Sequence, residues 1–200
     1  RKCKMNLIQA ICLRAKPHGY DREIEFLEGG FASIGWPDLE PLTGATPESI
    51  QKQDSGVSLH DCTQILTFAN AKEGCKILVP GIANKNVVHI LEVTGGYVYR
   101  DESYDNGNPH SLPVQKICTV DKTCLPEILQ RAISASRRAV SNFSKYRELI
   151  DKVIAGDSDD NENPYVENAI EIIRRSLESE DEKIRLDAAI FVLQNPEKII

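Results

Sequence analysis

Tryptophan and methionine occur once each in this chain, and aromatic residues make up only 6% of it. No stretch approaches the roughly 18 apolar residues of a membrane span. The opening, Arg-Lys-Cys-Lys-Met, has no apolar signal core followed by a small-residue cleavage site. A chain that begins at Arg1 reads as an excised piece of a longer protein. None of the six cysteines (Cys3, Cys12, Cys62, Cys75, Cys118, Cys124) forms a C-x-x-C pair. The spacing of Cys118 and Cys124 is poor for a zinc knuckle. Reduced thiols in a cytoplasmic protein are therefore expected.

Catalytic signatures are equally scarce. There is no G-x-S-x-G elbow, phosphate-loop motif, H-E-x-x-H or G-x-G-x-x-G. Pro37-Asp38 could begin a nuclease metal site, but no later strand offers the partner Glu-x-Lys. His60 and Cys62 are two apart on one expected helix, so their side chains diverge. His18, His60 and His89 show no metal-ligand spacing with one another. No cofactor, metal or catalytic residue is expected, and an enzyme would need a catalytic half outside these residues.

Charge is unevenly spread over the 200 residues. Residues 1–156 carry 19 Lys+Arg against 18 Asp+Glu, a balance of +1, and residues 157–200 carry 5 against 12, a balance of −7. The acidic balance disfavours a broad phosphate-gripping surface but not a local one.

Hydrophobic patterning predicts strands at Leu7–Ala15, Phe31–Ile34, Lys76–Pro80 and Ser111–Val120, with two more in Val87–Tyr99 around Gly95-Gly96. Ile24–Leu27 is ambiguous. Thr46 and Pro47 read as the N-cap and first residue of a helix, and Ser58–Ala71 as a second helix stopped by Gly74. Residues 126–156 change to a helical period and read as one short and one longer helix. Gly156–Pro164 is acidic and lacks apolar residues, and Val166–Leu177 with Ile184–Leu193 reads as a helical pair. The expected organisation is a barrel over 1–125, a helical extension over 126–156, an acidic linker over 157–164 and a helical pair over 165–200. The expected class is α+β: a small, mixed, partly closed β-barrel with flanking helices and a C-terminal helical segment.

The segment Phe31-Ala-Ser-Ile-Gly-Trp-Pro-Asp-Leu39 stands out. It delivers the single tryptophan, Trp36, to a strand exit between glycine and proline. That ring is either a core plug or the wall of a binding site. Further pieces follow in order: Cys12-Leu-Arg-Ala, Phe26-Leu-Glu-Gly-Gly-Phe, Glu92-Val-Thr-Gly-Gly-Tyr-Val-Tyr and His110-Ser-Leu-Pro-Val. Together these resemble the N-terminal domain of Mrr-type restriction-system proteins, over residues of about 7–117. Those domains are similar in outline to PUA/EVE barrels, some of which read modified bases. Leu91 and Lys116-Ile117 depart from that pattern, at a glycine and an aromatic position respectively.

The resemblance implies a non-enzymatic nucleic-acid reader of a prokaryotic antiviral defence or restriction system, holding DNA with a modified or extruded base. Trp36, Tyr97 and Tyr99 would stack on the base, and Arg14, Ser33, Asp38, Thr94 and His110 would meet its edge. Arg137, Arg138 and Lys145 would contact phosphate, the last two falling on nearly one face if the segment is helical. Each has a plainer reading: packed rings, a structurally bonded histidine and a solvated basic face. The alternative function is a protein-interaction or sensor module that docks on a partner, or on itself, through residues 157–200.

Overall fold

The computed structural model describes residues 8–156, 172–173, 175–179 and 181–194. Residues 1–158 and 159–200 fall into two compact units. The first unit is an α+β domain built on one curled, partly closed sheet. Its strands are β1 (Ala10–Leu13), β2 (Phe31–Ile34), β3 (Lys76–Pro80), β4 (Val87–Val93), β5 (Val98–Tyr99), β6 (His110–Asp121) and β7 (Val140–Asn142). The order is β2-β6-β4-β3-β1-β7, with β5 also on β6. Only β1 and β3 pair in parallel; the other ladders are antiparallel. Alternation along β1 sends Ile11 and Leu13 to one face and Ala10 and Cys12 to the other, and both faces are buried.

Helices cover each face. On the first lie α1 (Glu23–Glu28), α2 (Pro47–Gln53) and α3 (Leu59–Ala69), which bury Phe26, Ile50, Ile65 and Phe68. On the second lie α4 (Glu127–Ala135) and α5 (Arg147–Ala155), which bury Leu129, Ile133 and Ile150. Thr46 caps α2 reciprocally: its hydroxyl accepts from the Ser49 N–H at 3.2 Å, and the Ser49 hydroxyl accepts from the Thr46 N–H at 2.9 Å. The ambiguous Ile24–Leu27 segment is the middle of α1.

Two features depart from the sequence pattern. Gly95-Gly96, which reads as a hairpin or bulge signal, does not fold β4 against β5. Both strands pair with the long β6, and the glycines interrupt what would otherwise be one strand. A register shift skips Ile117 opposite Ile90 and Leu91, a bulge that bends β6 and assists the curl. The expected helical extension over 126–156 is not wholly helical either. Val140–Asn142 breaks it and pairs with β1, so this stretch completes the sheet beyond residue 125. Three residues are too short for a period to show, and the β1 edge decides their conformation.

In the second unit, 172–173 and 175–177 are helical, and Glu182–Gln194 forms α6. The expected linker and most of the first helix of the pair lie outside the described residues. No helix among the described residues is long and apolar enough to cross a membrane.

Candidate functional site

Three loops meet beyond the β2 end of the sheet. The first follows β1 and holds His18 and Tyr20. The second leaves β2 through Gly35-Trp36-Pro37. The third, between β5 and β6, holds Tyr104 to Asn108. Between them is an open recess of about 500 Å3, lined by His18, Tyr20, Pro37, Tyr104, Asn106 and their neighbours. That volume lies in the about 300–1,000 Å3 range of small-ligand sites.

His110 anchors the second loop. It is fully buried, and both ring nitrogens have partners. The Trp36 carbonyl, 2.9 Å from Nε2, can only accept, so Nε2 carries the proton. Nδ1 then accepts from the Tyr97 hydroxyl at 2.6 Å, and that hydroxyl accepts from the Leu42 N–H at 3.2 Å. The Trp36 carbonyl also receives the Leu39 N–H at 3.1 Å. Burial holds the His110 pKa below its ordinary 6.5, against the opposing pull of the Trp36 carbonyl. Burial also pushes the Tyr97 hydroxyl up to about 12. Tyr97 stacks on the His110 ring at 6.0 Å, and Tyr99 meets it edge-on at 5.3 Å.

The third loop is tied down by Asn108, whose amide donates to the Ser33 hydroxyl at 2.9 Å inside the core. Arg100 adds a guanidinium 3.7 Å from the Phe31 ring centre. The first loop seats the His18 ring against Gly35 and Gly107, where an added Cβ would stand 3.2 and 3.0 Å from its Cδ2. A Cβ at either position would force the imidazole to give by a few tenths of an ångström, and at Gly107 the positive φ adds backbone strain. Arg22 spans two loops: it donates to the Asn106 carbonyl at 3.0 Å and lies 5.9 Å from the Tyr20 ring.

Backbone strain collects here. His18 (φ 51°) and Trp36 (φ 64°) are the non-glycine residues with positive φ among the described residues. His18 lines the recess, and Trp36 precedes Pro37, which lines it. For a bulky residue before proline such a conformation is costly, and it persists only where surrounding contacts impose it.

The structure gathers some expected residues and separates others. Trp36, Ser33, Tyr97, Tyr99 and His110 converge, but on one another. Ser33 and His110 are buried, and Tyr97 spends its hydroxyl on His110 and Leu42. Trp36 is half-buried against the core, and its indole is not among the recess-lining groups. Asp38 is exposed next to the recess. Arg14, at the end of β1, gives its backbone N–H to the Ala139 carbonyl, and Thr94 gives its own to Pro113. None of these three lines this recess or the one at β7. Arg137, Arg138 and Lys145 line a second recess, at β7. The rings that do face the first recess, Tyr20 and Tyr104, are 65% and 48% exposed. Their signal was a tyrosine inside a polar, Gly-containing loop, where no core is available to take the ring.

A buried chain also joins α1 to the sheet. His89 Nε2 lies 2.8 Å from Glu23 Oε1, and Nδ1 lies 2.8 Å from the Thr119 hydroxyl. The other Glu23 oxygen accepts from the Ile82 and Ala83 N–H groups at 2.7 and 3.0 Å. Burial opposes ionisation, but the Ala83 and Ile82 N–H groups and His89 outweigh it and hold the carboxyl below its ordinary range. Both carboxylate oxygens are thus occupied, so the chain is a staple across three segments. No group of His, Cys, Asp or Glu that could hold a metal occurs among the described residues.

No family model, curated protein or solved structure matches the chain.

Proposed function

We propose that the first unit is a non-enzymatic binding module that holds one unstacked or extruded base of a nucleic acid, DNA in the first instance, in the recess beside Trp36. The observation that carries this reading is the coincidence of strain and shape. Two non-glycine positive-φ residues flank one recess of about 500 Å3 whose accessible rings are Tyr20 and Tyr104. Exposed tyrosines give a sequence-tolerant stacking surface. Asp105, Asn106 and His18 supply polar groups for a base edge, while Arg22, paired with Glu25, braces the Asn106 loop from behind. The His110–Trp36 network holds the wall rather than touching the base. The likeness to restriction-system reader domains points the same way and suggests a cytoplasmic defence role and a modified base.

The test is anisotropy of labelled plain and base-modified DNA, with the salt concentration varied. Stacking contributes about 1–3 kcal/mol per base, so Tyr20→Ala or Tyr104→Ala should weaken binding about 5- to 150-fold. Absence of binding at low salt to every probe, or variants that bind like the parent, would refute the proposal.

The second unit favours one further reading. Leu186, Ile190 and Leu193 of α6 are 43–80% exposed and fall on one side of the helix, an apolar strip suited to a protein partner or a second copy. Light scattering of the full chain beside a 1–156 truncation tests self-association. A monomeric mass for both would exclude it.

A further inference from the structure

The recess at β7 is not used by the base-binding reading. It has a volume of about 480 Å3 and is formed by α3, the end of α4, β7 and the turn at 144–146. Arg137, Arg138 and Lys145 line it, and no Asp or Glu does. That is a notable lining in a chain of net charge −6.

Neighbouring cations are already committed: Arg131 pairs with Glu127, and Arg147 with Asp151. Arg137, Arg138 and Lys145 have no carboxylate partner among the described residues. Lys145 instead places Nζ 4.7 Å from the Tyr146 ring. Neutral donors complete the wall. The Ser136 and Ser141 hydroxyls lie 2.7 Å apart, and Asn142 has its carbonyl oxygen engaged by the Ser144 N–H, which leaves its amide donors for a ligand.

Arginines just beyond the end of α4 also suit its negative dipole end. That accounts for Arg137 and Arg138, but not for Lys145 across β7 or for the missing carboxylates. The lysine reaches the recess because β7 turns the chain back, so three cationic residues border one concavity instead of forming a stripe. A stripe would suit a run of backbone phosphates, whereas a concavity suits one compact anionic group with donors around it.

We infer that this recess binds a compact phosphate ester, of the class of nucleoside mono- and diphosphates, independently of the base site. The experiment is calorimetric titration of the full chain with AMP, ADP, inorganic phosphate, adenosine and a single-stranded oligonucleotide lacking a terminal phosphate. AMP and ADP should bind at one site and adenosine should not. The doubly substituted R137S/R138S chain should bind them about tenfold more weakly or worse, Lys145→Gln should weaken them in the same sense, and Tyr20→Ala should leave them unchanged. All three cations are exposed, so the variants should fold, which the Trp36 emission checks. Silence with every phosphate-bearing probe, adenosine binding as well as AMP, or unchanged affinity in the double variant would overturn the inference. Oligonucleotide binding that needs Arg137 and Arg138 while the nucleotides stay silent would also overturn it, making the recess a backbone contact. Loss of base binding through Tyr20 and Tyr104 alone would leave this inference standing.

Discussion

Tyr97→Phe isolates the network that holds the Trp36 turn. The substitution keeps the ring and its stacking on His110 but removes one hydroxyl. Two groups then lose their partner: the Leu42 N–H, at 3.2 Å, and His110 Nδ1, at 2.6 Å. His110 is fully buried, and an orphaned buried polar group costs about 1–3 kcal/mol. Allowing for partial relaxation at Leu42, the loss should be about 2–4 kcal/mol. For a unit of this size that is a fall in Tm of about 5–15 °C. Trp36 is the only tryptophan, so its emission during urea unfolding reports this unit directly. Tyr99→Phe is the control: the Tyr99 ring touches His110, but its hydroxyl has no hydrogen-bond partner among the described residues. That variant should change stability by less than about 0.5 kcal/mol. If Tyr97→Phe cost no more than Tyr99→Phe, the hydroxyl would not be supporting the turn, and the assignment of the His110 tautomer would fall with it.

His110 should also make stability fall with acidification. Its folded pKa lies below 6.5 because burial opposes charging, so its contribution is complete above the unfolded value and shrinks as pH drops through about 6.5. Urea midpoints between pH 7.5 and 5.5 should decline, and they should decline less in His110→Asn; equal slopes would refute this. Glu23→Gln should cost about 2–3 kcal/mol at neutral pH, since charge-assisted bonds to His89 and to two backbone N–H groups weaken. The Glu23 pKa is depressed, so the deficit should narrow as pH falls below the ordinary carboxylate value of 4.5; a gap constant down to acid would count against the staple. Burial pushes the Cys12 thiol up to about 11 and the Cys75 thiol up to about 12, whereas Cys124 is exposed. Iodoacetamide at mildly alkaline pH should therefore alkylate Cys124 well before Cys12 or Cys75, as peptide mapping would show; equal rates would refute the burial.

Much of the α+β frame could be read from residues alone, because the signals were local. Phe31–Ile34 and Lys76–Pro80 are the observed β2 and β3 to the residue. The Thr46-Pro47 start of α2 was legible because a capping box is short-range chemistry. The Val140–Asn142 strand was hidden, since three residues carry no usable period and only the free edge of β1 makes them a strand. The same blind spot placed Arg138 and Lys145 on one helical face. They do share a surface, but by way of a strand and a turn.

At the site, the sequence drew attention to Trp36 and His110, because an indole between glycine and proline and a histidine at a strand entry are locally conspicuous. It could not say what they face. His110 is turned inward, and its bonds to Trp36 and Tyr97 join residues 74 and 13 positions away. The recess falls instead to Tyr20 and Tyr104, which are unremarkable as loop residues until three loops meet. Residue types and short-range spacing determined most of the strands, the cap of α2 and the charge asymmetry. Which rings became structure and which stayed available was decided by long-range packing, because burial and hydrogen-bond satisfaction depend on neighbours distant in the chain.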